Sequence, residues 1–226
     1  MKSGATCDRS DVNQQRASVN APPSLYVSNS ASLAKPHAID QLTADLSGYK
    51  IDIAVITETH FKPSKHPDSM MNIAGYTLFR RDRPKRRGGG VAIYVRDNTV
   101  ACEVLASNCN PAYELLWVSV QSANYNLIIG ALYHPLKPIY QISALLEHIE
   151  ACVDQINTDT SDSMIVLAGD MNGLSENELV TRAGLSFVNQ ATRGANCLDR
   201  IYSMSQNPAT AISKSSNLLS PAITEQ

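Results

Sequence analysis

Met164-Ile165-Val166-Leu167-Ala168-Gly169-Asp170-Met171-Asn172-Gly173 is an apolar run that stops at a glycine and then presents an aspartate, one residue and an asparagine. A β-branched run of this length, bounded by Gly, predicts a buried strand with Asp170 and Asn172 at its carboxyl end. Residues two apart on an extended chain face the same way. A carboxylate that only accepts and an amide that also donates, aimed together beyond a strand end, can hold a hard cation or position a water at a phosphate. The local alternative is an Asx turn or a helix cap following the strand.

A second stretch has the same form. Ile51-Asp52-Ile53-Ala54-Val55-Ile56-Thr57-Glu58 is an apolar strand candidate that ends in an acid and continues as Thr59-His60. A carboxylate at such a place needs compensation if it is buried, because an unpaired buried charge costs several kcal/mol or shifts its pKa and neutralises. A metal ion is one such compensation; a solvated Glu58 opening the polar stretch 59–69 is the other reading.

The elements around these two strands alternate. Short strand 25–27 precedes helical spacing over 36–46, carried by Ala38, Ile39, Leu42 and Leu46. Strand 51–57 leads to a β-rich block at 76–80, 90–96, 100–106, 113–121 and 126–133. Apolar residues at Ile142, Leu145, Leu146, Ile149, Val153 and Ile156 predict an amphipathic helix over 139–156. Strand 164–168, a helix near 176–183 and strands near 186–189 and 198–202 follow. Periodicity alone gives a mixed α/β protein.

Several ordered motifs carry a family resemblance: Ser28-Asn29-Ser30-Ala31-Ser32-Leu33, Ile56-Thr57-Glu58-Thr59, and Arg86-Arg87-Gly88-Gly89-Gly90-Val91-Ala92-Ile93-Tyr94-Val95. Gly130-Ala131-Leu132-Tyr133-His134-Pro135, Leu167-Ala168-Gly169-Asp170-Met171-Asn172, and Thr192-Arg193-Gly194 leading to Leu198-Asp199-Arg200-Ile201-Tyr202 complete the series. With these, residues from about 25 to about 202 resemble the endonuclease domain of non-LTR (LINE-type) retrotransposons. That domain belongs to the endonuclease/exonuclease/phosphatase superfamily, with the apurinic endonucleases and DNase I-like enzymes. The resemblance implies a DNase I-like four-layer α/β sandwich, two packed mixed sheets flanked by helices.

It also implies roles. Glu58 matches the family's principal magnesium-binding carboxylate, with Asn29 beside it as an auxiliary group at the metal and phosphate. Asp170 and Asn172 match the pair that orients the attacking water and the scissile phosphate, and Tyr133 matches a phosphate-contacting tyrosine. Asp199 matches the acidic partner of a catalytic histidine carried by a terminal Ser-Asp-His motif. This sequence has no such histidine: the five are His37, His60, His66, His134 and His148. The sandwich is therefore expected to be C-terminally incomplete, with an uncovered sheet edge where the terminal strand belongs. General acid–base assistance is typically worth about 10²–10⁴-fold, so its loss predicts impaired chemistry. His134 is not expected to substitute, because adjacent strand residues face opposite sides and Tyr133 takes the crevice side.

Composition agrees with one domain. At 226 residues and 43% hydrophobic content the chain can bury one sizeable α/β core. Residues 1–24 are polar and read as a disordered lead-in, leaving 25–226 as the folded unit. Cys7, Cys102, Cys109, Cys152 and Cys197 form no CxxC pair, which fits reduced residues of an intracellular protein, nuclear or cytoplasmic. No stretch is long and apolar enough to cross a bilayer, so no membrane partner is expected.

The formal net charge of −2 predicts no global attraction to nucleic acid, yet Arg80, Arg81, Arg83, Lys85, Arg86 and Arg87 fall within eight positions. Arginine suits bidentate phosphate contact, and this loop is read as DNA-binding, with Arg193 as a further candidate. A solubilising hairpin tip or a nuclear-localisation-like run is the bland alternative. Gly88-Gly89-Gly90 lets a backbone approach something closely, but without a following Lys-Ser/Thr it is no nucleotide-binding loop.

The activity implied is hydrolysis of a DNA phosphodiester with Mg²⁺, or alternatively Mn²⁺, nicking one strand and leaving a 3′-hydroxyl. A reverse-transcriptase region of the same element is the implied protein partner. The runner-up is an inactive or truncated fragment that retains DNA or metal binding. A phosphatase acting on a soluble phosphoester explains the arginine run poorly.

Overall fold

The computed structural model describes residues 23–84, 86–97, 101–104, 110–122, 126–160, 163–188, 199–204 and 218–219. In chain order the elements are β1 (Leu25–Asn29), α1 (Ala38–Gly48), β2 (Ile53–Thr57), α2 (Asp68–Met71), β3 (Tyr76–Arg81) and β4 (Val91–Arg96). Then come β5 (Ala101–Val104), β6 (Glu114–Gln121), β7 (Asn126–Tyr133), α3 (Ile142–Asp159) and β8 (Met164–Asp170). The series ends with α4 (Glu176–Ala183), β9 (Ser186–Phe187), β10 (Asp199–Met204) and β11 (Leu218–Leu219). One sheet runs β11-β1-β2-β4-β3 and the other β5-β6-β7-β8-β10-β9.

The two-residue period of a strand sorts the apolar side chains into three layers. Between the sheets, Val27, Ile53, Val55 and Ile93 of the first face Val118, Ile129, Val166 and Ile201 of the second. Leu42 and Leu46 of α1 and Met71 of α2 cover the outer face of the first sheet. Leu145, Ile149 and Val153 of α3, with Leu179 of α4, cover the outer face of the second. Helix, sheet, sheet, helix is the four-layer sandwich, and each fully buried aliphatic side chain contributes about 1.5–3 kcal/mol to it.

Local chemistry sets the boundaries. α1 starts two residues later than its periodicity predicts, because Pro36 and a left-handed His37 (φ 62°) precede it. α3 starts at Ile142, since Pro135 and Pro138 hold the preceding turn open. α4 has the predicted bounds: Ser175 accepts a bond from the Glu178 N–H at 3.3 Å, an N-terminal cap written in the sequence. β8 runs two residues further than predicted, to Asp170 itself. The four-residue α2 lies in the polar stretch 59–69 and just beyond it, too short to show a period.

Beside β1, the two-residue β11 pairs only with the start of the strand. Leu218 and Leu219 pair in parallel with Leu25 and Tyr26. This pairing ends at Tyr26, three residues before Asn29, and does not reach the rim described next. Among the described residues no helix is long and apolar enough to cross a membrane.

Candidate active site

Each inward-facing row ends in a polar residue at the same rim of the sandwich. Leu25 and Val27 lead to Asn29; Ile129 and Ala131 lead to Tyr133; Val166 and Ala168 lead to Asp170. β10 runs the other way, so Asp199 stands at its start, in register with Asp170. Glu114 begins β6 in register with Tyr133. The parity that builds the core therefore also gathers the site.

The contacts at the rim are short. The Asn29 Nδ2 group donates to Glu58 Oε1 at 3.0 Å and to Asp170 Oδ2 at 2.7 Å, bridging acids that belong to different sheets. Tyr133 donates its hydroxyl to the same Glu58 Oε1 at 2.9 Å. Glu58 sits just past β2 in the left-handed region (φ 52°), and so does Asn172 past β8 (φ 40°). Non-glycine residues there cost of order 1–3 kcal/mol each, and such strain clusters at functional sites. The Asn172 N–H donates to Asp170 Oδ1 at 3.1 Å, while its side-chain Nδ2 donates to the His134 carbonyl at 2.8 Å. Arg200 fixes that turn from behind, donating to the carbonyls of Leu174 and Asn172.

Burial raises the Asp170 carboxyl above the ordinary carboxylate range, opposed by the bonds from Asn29 and Asn172. Burial, reinforced by the neighbouring Glu58, raises the Tyr133 phenol further, so Tyr133 keeps its proton and acts as a donor at neutral pH. His134 is buried with its Nδ1 at 3.0 Å from the Tyr140 hydroxyl, and burial lowers its pKa. Its ring belongs to the packing behind the site.

The donor set fits a hard divalent cation. Among the described residues no Lys or Arg pairs with Glu58 or Asp170. No three His, Cys, Asp or Glu side chains converge as a metal cage there either. An ion at Glu58 would keep most of its water, as Mg²⁺ usually does.

The arginine run divides. Arg80 pairs with Asp68 at 3.1 Å and Asp82 at 2.8 Å and lies over the Phe61 ring. Arg81 donates to the carbonyls of Tyr113 and Asn110. Arg83 donates to Glu114 at 2.7 Å and stacks on Tyr133, 5.5 Å from its centroid. Arg86 and Arg87 are exposed, and Lys62 donates its ammonium to the carbonyls of Arg83 and Arg86. Lys85 and Arg193 lie outside the described residues. The close approach predicted for the glycines is to Glu114: its Oε2 accepts a short bond from the Gly90 N–H, and a Cβ at Gly89 would collide with Glu114 and Arg83.

Sequence reasoning passed over Glu114, His60 and Lys62. Glu114 carried a signal, an acid on the apolar row of Leu116 and Val118, which demands a partner. The partner lies 31 residues away and leaves no local trace.

Two sheets packed face to face, helices outside, and acids joined by an amide at the shared rim define a DNase I-like α/β sandwich. The chain belongs to the endonuclease/exonuclease/phosphatase family, whose profile matches residues 12–216. Among solved structures it is similar to a humanized D. rerio TDP2, with TM-score 0.59 and 19% identity over 84% of this chain and 85% of that one. It is similar to the endonuclease domain of TRAS1, a telomere-specific non-LTR retrotransposon, with TM-score 0.58 and 16% identity over 80% and 84%. The AP endonuclease LMAP from Leishmania major gives TM-score 0.59 and 14% identity over 79% and 77%. At these identities the likeness is one of fold. No curated protein sequence matches the chain.

Proposed function

We propose that this chain is the endonuclease domain of a LINE-type retroelement, nicking one DNA strand by hydrolysing a phosphodiester with Mg²⁺, or alternatively Mn²⁺. The observation that carries the reading is the Asn29 amide joining Glu58 and Asp170 across the two sheets. The similarity to the TRAS1 endonuclease domain and to a D. rerio TDP2 complexed with single strand DNA product supports DNA as substrate. A reverse-transcriptase region of the same element, and a nuclear or cytoplasmic setting, follow from that reading.

Glu58 and Asn29 would hold the cation, which when bound neutralises phosphate charge. Asp170, its carboxyl raised by burial, accepts a proton from the attacking water, and Asn172 fixes the Asp170 carboxylate through its N–H. Tyr133 donates its phenol to a phosphate oxygen. Asp199, in register with Asp170, would orient a histidine.

No histidine follows His148 in this sequence. Slow turnover is therefore proposed, by about 10²–10⁴-fold relative to a chain extended with a Ser-Asp-His strand. That lack also favours the second reading, an inactive DNA- or metal-binding domain.

Nicking of supercoiled plasmid, with and without Asp170→Ala, decides between them: weak nicking abolished by the substitution supports the enzyme. In parallel, Mg²⁺ should raise the melting temperature of the wild type and not of Glu58→Ala. An equal rise in both proteins would place the ion elsewhere and remove the basis of the reading.

A further inference from the structure

We infer that His60 is a further protein ligand of the cation held by Glu58 and Asn29, and that it biases this site toward Mn²⁺ and other imidazole-accepting ions over Mg²⁺. The inference rests on the proposed metal role of Glu58.

Glu58 uses its two carboxylate oxygens differently. Oε1 accepts from both Asn29 and Tyr133, and Oε2 faces the His60 Nε2 at 3.5 Å. That is an approach without a well-formed hydrogen bond, which calls for a shorter, straighter N–H···O contact. With metal–ligand distances of about 2.1 Å, neighbouring ligands of an octahedral ion lie about 3.0 Å apart, so closing this 3.5 Å gap by roughly half an ångström lets both groups reach one ion.

The backbone holds this arrangement. Glu58 and His60 are both left-handed, at φ 52° and 57°, with the buried Thr59 between them. The Thr59 N–H donates to the Gly90 carbonyl at 3.2 Å and the His60 N–H to the Gly89 carbonyl at 2.8 Å. Two strained residues, tied to the neighbouring strand's approach, turn a carboxylate and an imidazole toward the same point. Both side chains are partly open, 25% and 30% exposed, so an ion can reach them from solvent.

The chemical consequence follows from ligand preference. Mg²⁺ takes oxygen ligands and keeps its water, whereas imidazole suits later divalent ions. An oxygen-only site discriminates weakly between Mg²⁺ and Mn²⁺; an added imidazole favours Mn²⁺.

The test uses the full chain without DNA and Mn²⁺ as the probe. Electron spin-echo spectra of bound Mn²⁺ should show modulation from a coordinated imidazole nitrogen, and His60→Gln should remove it. Titration should show Mn²⁺ binding weakened about tenfold in His60→Gln and His60→Ala, with Mg²⁺ binding changed less than about twofold. Mn²⁺ that binds in a Glu58-dependent way without a nitrogen signal overturns the His60 assignment and leaves the proposed function standing. Mn²⁺ binding that is absent, or unchanged by Glu58→Gln, overturns both.

Discussion

Glu114 and Asp170 occupy equivalent places at one rim, on the two strands that flank β7. Each terminates an inward-facing row of the same sheet, and they are 5% and 4% exposed. Their company differs. Among the described residues, Glu114 has the Arg83 guanidinium and the Gly90 N–H, whereas Asp170 has only amide donors, from Asn29 and Asn172. A buried acid matched by a buried cation fastens a loop; an acid left with neutral donors keeps its affinity for a proton or an ion. The second kind suits the proposed chemistry.

Removing Glu114 is the severest way to test that contrast. Glu114→Ala leaves Arg83 without its carboxylate in a nearly closed setting, a loss of about 3–5 kcal/mol. Thermal unfolding should fall by roughly 6–20 °C. A fall below about 2 °C would show that the pair is no better than a surface contact.

Gly169 tests the Asp170 end by geometry. It holds φ 138°, and a Cβ there would collide with the Leu132 carbonyl, so Gly169→Ala must displace β8 from β7. The expected cost is about 2 kcal/mol or more in urea unfolding. Wild-type stability in that variant would mean that the strand yields without strain.

Asp170→Asn should act in the opposite direction. Burial raises the Asp170 carboxyl, so the folded chain holds this proton more tightly than the unfolded chain does. The contribution to stability is therefore full below the unfolded pKa and is lost as pH rises through the folded one. The neutral variant escapes that loss and should melt about 2–4 °C above the metal-free wild type at pH 7. The gap should close as the pH is lowered into the carboxylate range. A variant less stable than wild type at pH 7 would show that the amide bonds to Asp170 outweigh its burial.

The smallest effect belongs to the two exposed arginines. If Arg86 and Arg87 each meet a phosphate, the double alanine variant should bind DNA a few-fold more weakly, with a log–log salt slope lower by about 2. Arg80, Arg81 and Arg83 are occupied within the fold, so an unchanged slope would leave the loop with structural duty alone.

How much of this was legible depended on distance along the chain. Strand parity is local, so the runs ending at Glu58 and Asp170 could be read directly, as could the bounds of α4. The Asn29 bridge spans 141 residues and came only through the resemblance of Ser28-Asn29-Ser30 to a family motif. The arginine run was legible only in part, for the same reason. Local composition shows charge density, and Asp82 within it, but not the acids at Asp68 and Glu114 that tertiary structure brings to it. His60 was visible as a letter beside Glu58, but its left-handed backbone was not.

The Asn29 side chain also has a mechanical meaning. Its amide is a strut between two layers otherwise held apart by the thickness of their shared aliphatic packing, and close-packed interiors transmit small displacements. A ligand that draws Glu58 and Asp170 together loads that strut and clamps the sandwich at its open end. Binding at the rim should therefore slow hydrogen exchange in the interior amides of β1 and β8, well away from any atom the ligand touches.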